Sequence, residues 1–204
     1  MTTALTFYTN PQSRGSIVHW MLEEIGQPYT TDVLSYGGSM KAPAYLAINP
    51  MGKVPAIRHG KQVVTEAAAI CLYLADAFPA AGLAPAAADR GDYYRWVLFA
   101  AACGEPAMSN HANGWDPSPE KMRQFGYGSF DETFATLANW LKGREFVAGK
   151  RFSAADVYVG SLLNFGMMFG IVPKKPEFEA YVAPLIARPA KQRADQLAQA
   201  LMPA

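Results

Sequence analysis

The sequence is poor in cysteine and histidine and contains no long apolar run, and each scarcity argues against a class of protein. Its 204 residues include two cysteines and three histidines, which show neither the spacing of a zinc site nor a C-x-x-C redox motif. No apolar stretch reaches the ~18 residues that a membrane-spanning helix needs. Because Met1 does not open a basic segment followed by an apolar block, we expect a cytoplasmic protein without a secretory signal.

An excess of charge of either sign is also missing. The 18 Lys and Arg residues against 17 Asp and Glu residues give a formal net charge of +1. Nucleic-acid and anionic-membrane binding both require a basic surface, so we expect neither partner. The sequence also lacks a G-x-S-x-G elbow, a P-loop and a G-x-G-x-x-G motif, which argues against hydrolase and nucleotide-binding chemistry.

Alternating strand and helix patterns are present in the first eighty residues. Strands are predicted at 4–9 and 29–35, and a hairpin around Gly60 is predicted within 53–65. One helix has apolar positions from Ile17 to Ile25 and stops at Gly26, and another spans 66–78. The order βαβ, loop, ββα predicts a four-stranded mixed sheet with helices packed on it.

The remaining chain has helical patterns and no convincing strand. Residues 81–90 have the composition of a linker, so we predict domains at 1–80 and 91–204, the second one all-α. The stretch 118–143 is interpreted as a single helix, and interruptions are expected at Pro106, Gly143, Pro173 and Pro189.

A helix start is predicted at "RFSAADVYV". Ser153 and Asp156 have the spacing of a capping box, and Phe152 and Val157 that of a hydrophobic staple. We interpret this motif as structural, since losing such a cap costs about 1 kcal/mol and the motif brings no reactive group.

Three loops are the candidates for chemistry. Ser13 lies between the first strand and the first helix, where the helix dipole favours a negative group. Glu66 occupies the equivalent position before another helix. A cis peptide at Val54-Pro55 would leave the Val54 amide and carbonyl open to an extended ligand. We expect these loops to converge on one face.

Four segments resemble cytosolic glutathione transferases. "NPMGKVPAI" (49–57), "TEAAAICLYLAD" (65–76) and "FSAADVYV" (152–159) are similar to the three signature segments of that family, in the same order, and "YTNPQSRG…MLEEIG" resembles bacterial members. The resemblance implies a thioredoxin-like first domain, an all-α second domain, a homodimer, and glutathione as co-substrate without a metal.

The resemblance also assigns residues to glutathione. Lys53 would lie near the glycyl carboxylate, and Val54 beside cis-Pro55 would hold the cysteinyl backbone. Glu66 and the amide of Ala67 would take the γ-glutamyl end. The family usually has Ser or Thr after the glutamate, so Ala67 predicts glutathione affinity lower by about 0.5 to 1.5 kcal/mol, one ordinary hydrogen bond.

The thiolate donor has three candidates. By resemblance, Ser13 is the first, with Arg14 beside it adding positive potential, and Tyr8 and Asn10 are the alternatives. Arg14 itself or backbone amides remain as further donors. A purely structural interpretation of Ser13 is an ordinary helix cap. Because this loop has no cysteine, addition of glutathione to an electrophile is favoured over thiol reduction.

The second substrate is expected between the domains, against apolar residues of the helical one. The candidates are Met108, His111, Trp115 and Tyr127, although each is of a residue type that is also common in a core. The leading prediction is a glutathione transferase acting on small hydrophobic electrophiles. A glutathione-dependent peroxidase or isomerase, and a non-catalytic binding module on the same fold, are the alternatives.

Overall fold

The computed structural model describes residues 3–202, and the first part of the chain forms a four-stranded sheet. The strands are β1 (Leu5–Thr9), β2 (Thr30–Val33), β3 (Ala56–His59) and β4 (Gln62–Thr65). Their order in the sheet is β2-β1-β3-β4, with β1 parallel to β2 and the other neighbours antiparallel. The predicted mixed sheet is therefore confirmed.

Helices pack on both faces of this sheet because β1 alternates its side chains between them. The buried ring of Phe7 lies 5.5 Å from that of His19 on the first helix. Tyr8 faces the other side, where its ring centroid lies 5.7 Å from that of Tyr45. The helices are α1 (Gly15–Ile25), α2 (Pro43–Leu46) and α3 (Ala67–Ala77), and α1 also packs against α3.

The first helix forms as its apolar pattern predicts. Ile17, Val18, Met21, Leu22 and Ile25 are all buried. Gly26 ends the helix in the left-handed conformation, with φ +63°, and its N–H donates to the Leu22 carbonyl at 3.2 Å. Glycine adopts this conformation without the steric cost that a Cβ would add.

Residues 84–187 form a second compact unit, in which the described residues contain helices and no strand. The helices are α4 (Gly91–Phe99), α5 (Glu105–Ala112), α6 (Phe130–Leu141), α7 (Ala154–Met168) and α8 (Pro176–Ile186). A π-helical turn, Ala100–Gly104, leads from α4 into α5. The interruption predicted at Pro106 is therefore a change of helix type, and Pro106 lies in the first turn of α5, where a missing N–H is tolerated.

The single helix predicted over 118–143 is wrong in its first half. Residues 113–129 are irregular apart from a 3₁₀ turn at Met122–Gln124. Gly126 and Gly128 lower helix propensity there, and Gly128 has φ +68°. The helix begins only after Ser129, whose hydroxyl oxygen accepts from the Glu132 N–H at 3.2 Å.

The capping box before α7 is confirmed, and its carboxylate has further partners. Asp156 accepts from the Ser153 N–H at 2.9 Å and from the Ser153 hydroxyl at 3.0 Å. It also accepts from the Val147 N–H at 2.7 Å and the Tyr181 hydroxyl at 2.9 Å. Burial raises the pKa of Asp156 to about 6, although all four donors favour the ionised form.

The last helix, α9 (Pro189–Ala200), packs along α1. Arg188 donates to both carboxylate oxygens of Glu24, at 2.7 and 2.8 Å, and Arg193 Nε donates to Glu23 at 3.1 Å. Two adjacent glutamates on α1 therefore face two arginines at the end of the chain.

Because α9 packs on α1, the first unit is built from two separate segments of the chain. It comprises Met1–Leu83 and Arg188–Ala204, whereas the second comprises Ala84–Ala187. The first division falls inside the predicted linker 81–90. The second division falls before α9, so this helix groups with the sheet-containing unit, to which Arg188 and Arg193 link it through Glu24 and Glu23.

Candidate active site

Three loops leave the sheet at one edge, and the strand register brings them together. Tyr8, at the end of β1, pairs with Ala56, at the start of β3, and Ala56 pairs with Thr65, at the end of β4. The segment with Ser13 follows β1, Val54-Pro55 precedes β3, and Glu66-Ala67 follows β4. The predicted convergence of these three loops in the first unit is thus present.

The Ser13 hydroxyl is held within its own loop. It donates to the Asn10 carbonyl at 2.6 Å and accepts from the Gly15 N–H at 2.9 Å. Asn10 is held in turn, since its side-chain amide donates to the Leu34 carbonyl at 2.8 Å and its Oδ1 accepts from the Gln12 N–H at 3.0 Å. Ser13 therefore caps the Gly15 amide and also has its proton engaged.

Gly15 is required by the close approach of β1. A Cβ at this position would lie 2.0 Å from Thr9 Oγ1 and 3.0 Å from Ser13 Oγ. Thr9 is buried, so the start of α1 is seated directly on the end of the strand. Arg14, in the N-cap position of α1, is exposed.

Tyr8 lies in a hydrophobic cluster and not on an open surface. It is 7% exposed and packs with Leu34, Met40, Tyr45 and Ala56. Of the three candidate thiolate donors, Tyr8 is therefore the most enclosed, while Ser13 and Asn10 are partly exposed.

The Val54-Pro55 peptide bond is cis, as the sequence predicts. Among residues 3–202, no hydrogen bond occupies the Val54 N–H or carbonyl. The preceding carbonyl, that of Lys53, accepts from the Tyr45 hydroxyl at 2.6 Å and from the Asn49 side-chain amide at 2.8 Å. The Lys53 side chain is exposed.

The sequence does not predict that Tyr45 and Asn49 bind the Lys53 carbonyl. Asn49 carries a usable signal, because an Asn-Pro pair favours a turn and its Oδ1 accepts from the Met51 N–H at 3.1 Å. Tyr45 carries none, since a tyrosine in a short apolar segment indicates burial and does not indicate what its hydroxyl reaches.

Glu66 has an unusual backbone conformation for a residue with a side chain. Its φ is +67° and its ψ +117°, and such conformations cost of order 1–3 kcal/mol and cluster at functional sites. Glu66 immediately precedes α3 and is exposed. The amide of Ala67 therefore lies in the first turn of that helix, where N–H groups lack intrahelical partners and attract anions.

The predicted electrophile residues all lie in the second unit and differ in accessibility. Met108 and Tyr127 are buried, and the Tyr127 hydroxyl accepts from Asn110 at 2.7 Å. The His111 ring stacks on Phe130 at 4.0 Å. Trp115 is 68% exposed.

Within residues 3–202, no group of three or more His, Cys, Asp or Glu side chains has an arrangement that could hold a metal ion. Over the same residues, no helix combines the length and the apolar character needed to cross a membrane.

Comparison with known proteins decides the family. The model for the N-terminal domain of glutathione S-transferases matches residues 15–77, and the model for their C-terminal domain matches residues 114–189. The chain belongs to the glutathione S-transferase family. Its sheet-containing unit is the thioredoxin-like part of that fold, and its helical unit corresponds to the C-terminal domain.

Individual relatives of this glutathione S-transferase family member are distant. It is 26% identical over 174 residues to glutathione S-transferase GST-4.5 of Xanthomonas campestris, covering 82% of this chain and 85% of the relative. It is 26% identical to maleylacetoacetate isomerase of Pseudomonas aeruginosa, covering 71% of each. A glutathione transferase family member from Pseudomonas fluorescens with two bound glutathiones is 27% identical, with a TM-score of 0.74 and coverage of 94% and 92%.

Proposed function

We propose that this protein is a glutathione transferase that stabilises the glutathione thiolate and adds it to small hydrophobic electrophiles. The observation that carries the proposal is the meeting of three backbone elements at one sheet edge: the start of α1, the Val54 main chain and the start of α3. The Pseudomonas fluorescens relative supports glutathione as the ligand.

The chemical task is to keep a thiol ionised at neutral pH. A free thiol with a pKa of ~8.5 is mostly protonated, and lowering that pKa by about two units requires roughly 2.7 kcal/mol. A hydrogen bond to the charged sulfur provides about 1.5 to 3 kcal/mol, and a helix N-terminus adds about 0.3 to 1 kcal/mol. The sulfur then attacks the electrophilic carbon, from which a leaving group such as chloride departs.

Ser13 is the proposed donor to the thiolate. Its single proton is bonded to the Asn10 carbonyl at 2.6 Å, so the hydroxyl must rotate from that carbonyl to the sulfur. The Gly15 N–H, which donates to Ser13 Oγ, favours this role because it polarises the hydroxyl. Arg14 would add positive potential beside it.

The tripeptide would extend along the same edge. Val54, next to cis-Pro55, is proposed to pair with the cysteinyl backbone, and Lys53 to attract the glycyl carboxylate. Glu66 and the Ala67 amide would take the γ-glutamyl end. In the second unit, Met108, His111, Trp115 and Tyr127 remain the proposed contacts of the electrophile, and a homodimer is the proposed assembly.

The substitution Ser13→Ala tests the donor. We expect the rate with a chlorodinitrobenzene-type substrate to fall tenfold or more and the apparent pKa of bound glutathione to rise, because the sulfur loses its charged hydrogen bond. Stopped-flow absorbance of the thiolate against pH measures that pKa directly. Unchanged rate and ionisation would move the role to Tyr8 or Asn10, tested by Tyr8→Phe and Asn10→Ala.

A glutathione-dependent isomerase is the second candidate function, favoured by the similarity to maleylacetoacetate isomerase. It would use the same thiolate to add to a double bond reversibly. Parallel assays with a haloarene, a cis-enedione acid and an organic hydroperoxide separate transferase, isomerase and peroxidase activity. Binding to immobilised glutathione without turnover in any assay would indicate a non-catalytic module.

A further inference from the structure

Two buried side chains donate hydrogen bonds to the Lys53 carbonyl, just before the cis Val54-Pro55 peptide bond. The Tyr45 hydroxyl and the Asn49 side-chain amide donate to the Lys53 oxygen at 2.6 and 2.8 Å, and the two residues are 3% and 4% exposed. Both residues precede Lys53 in the chain, Tyr45 in α2 and Asn49 in the turn after it. Two donors on one acceptor fix its direction better than one.

The Lys53 carbonyl and the Val54 N–H belong to the same peptide plane. Of the bonds on either side of Val54, only the following one, to Pro55, is cis, so the Lys53-Val54 peptide is trans. In a trans peptide the C=O and N–H groups point in opposite directions. A carbonyl held from the protein interior therefore directs the Val54 N–H away from Tyr45 and Asn49.

The surroundings keep Tyr45 in place and in its donating form. Its ring packs with Tyr8, Met40 and Ala56, and Val54 packs against the same cluster. Burial raises the pKa of Tyr45 to about 12, so its hydroxyl keeps its proton at any physiological pH. Asn49 is held as well, because its Oδ1 accepts from the Met51 N–H.

We propose that Tyr45 and Asn49 are positioning residues that orient the Val54 N–H as the donor to the cysteinyl backbone of glutathione. This inference rests on the proposed function, because it concerns the same ligand and the same edge of the sheet. Neither residue touches the reacting sulfur. They act by fixing the direction of the Val54 N–H, a main-chain group that does not depend on the side chain of Val54.

The test is Tyr45→Phe, which retains the ring in its cluster and removes only the hydroxyl. We expect the Kd of glutathione, measured by calorimetry, to rise about three- to tenfold, the effect of one hydrogen bond, and KM for glutathione to rise in parallel. The kcat at saturating glutathione is expected to stay within about twofold, because the thiolate donor is untouched. If the variant instead contained less folded protein, the measured kcat would fall together with the affinity, which distinguishes misfolding from a positioning effect.

The matched control is Tyr29→Phe. This variant also removes one partly buried tyrosine hydrogen bond from the first unit, the bond from the Tyr29 hydroxyl to Glu23 at 2.7 Å. It does not change any residue of the 49–55 turn. We expect its Kd for glutathione to equal that of the wild type. The Val54 amide signal in ¹⁵N NMR provides a local readout, and it should shift with glutathione less in Tyr45→Phe than in the control.

A second variant covers the case in which Tyr45→Phe fails to fold. Asn49→Asp keeps the acceptor for the Met51 N–H and removes the donor to Lys53, so it should weaken glutathione in the same direction. If the wild type itself binds no glutathione, the proposed function fails. If the wild type binds and Tyr45→Phe or Asn49→Asp binds equally well, the positioning role is overturned and the function stands.

Discussion

At the scale of single residues, Ser13 illustrates how far a side chain can be assigned from its position. The strand-to-helix junction predicts a hydroxyl near a positive helix end, and the structure has one there. The sequence does not predict that its proton is bonded to the Asn10 carbonyl, because that depends on how the loop folds back on itself. One proton cannot serve two acceptors, so thiolate stabilisation costs the loop an internal bond.

Gly15→Ala is expected to disturb this junction. The new Cβ would lie 2.0 Å from Thr9 Oγ1 and 3.0 Å from Ser13 Oγ, so buried Thr9 must move or α1 must shift away from β1. Overpacking of this kind costs about 1 to 3 kcal/mol, and we expect that loss in urea unfolding together with weaker glutathione binding.

Gly91→Ala is the matched control for the glycine substitution. Gly91 begins α4, and a Cβ there would meet nothing within 4 Å. Its unfolding free energy should be unchanged or rise by up to about 1 kcal/mol, since alanine is the better helix former. Equal stability of the two variants would show that the approach of Thr9 to Gly15 is easily relaxed.

At the scale of elements, the sequence predicts most of what is set locally. The apolar spacing of α1, the stop at Gly26 and the Ser153–Asp156 capping box are local signals, and all three are confirmed. The prediction for 118–129 is wrong because Gly126 and Gly128 outweigh the helical spacing of the apolar residues there. The Tyr45 and Asn49 bonds to Lys53 could not be predicted, because no periodic pattern specifies which carbonyl a hydroxyl reaches.

The capping box of α7 predicts a pH dependence of stability. The pKa of Asp156 is about 6 in the folded chain against 3.8 for the free side chain, so the folded state binds a proton more tightly. Stabilisation from that proton is complete below pH 3.8 and is lost as pH rises to about 6. We expect the unfolding free energy of the wild type relative to Asp156→Asn to fall across this range, by up to about 3 kcal/mol.

Direct titration provides a check that does not need the variant. The ¹³C signal of the Asp156 carboxyl carbon in the folded protein should change with a midpoint near pH 6. A midpoint near 3.8, or a stability difference that stays level between pH 4 and pH 6, would mean that the four donors fully offset the effect of burial.

At the scale of the whole molecule, the pairing of α1 with α9 is the feature that the sequence did not predict. An amphipathic pattern shows that α9 must cover an apolar surface, and it does not specify which one. The partner is set by side chains 164 positions apart, Arg188 and Glu24, and a single sequence has no signal for such a pairing.

Glu24→Gln should weaken this pairing. Glu24 is 7% exposed in its side chain, and besides Arg188 it accepts from Trp20 Nε1 at 2.9 Å. Replacing the carboxylate removes a charged, two-pronged hydrogen bond, and we expect a loss of about 1 to 3 kcal/mol in urea unfolding followed by circular dichroism.

Lys142→Gln is the control, because it removes the Lys142–Glu177 ion pair, in which the lysine is exposed. Its Nζ lies 4.0 Å from Glu177, and the lysine side chain is 68% exposed, so the change should stay within about 0.5 kcal/mol. If Glu24→Gln were equally mild, the α1–α9 contact would not depend on the Arg188–Glu24 pair.

The return of α9 to α1 has a consequence for synthesis. A ribosome releases β1 and α1 first, yet the helix that covers α1 emerges only after the whole of 84–187. The unit that contains the sheet therefore completes its packing only after the helical unit has been made. Until then, a nascent chain or a product clipped near residue 187 presents an uncovered flank of α1 to chaperones and proteases.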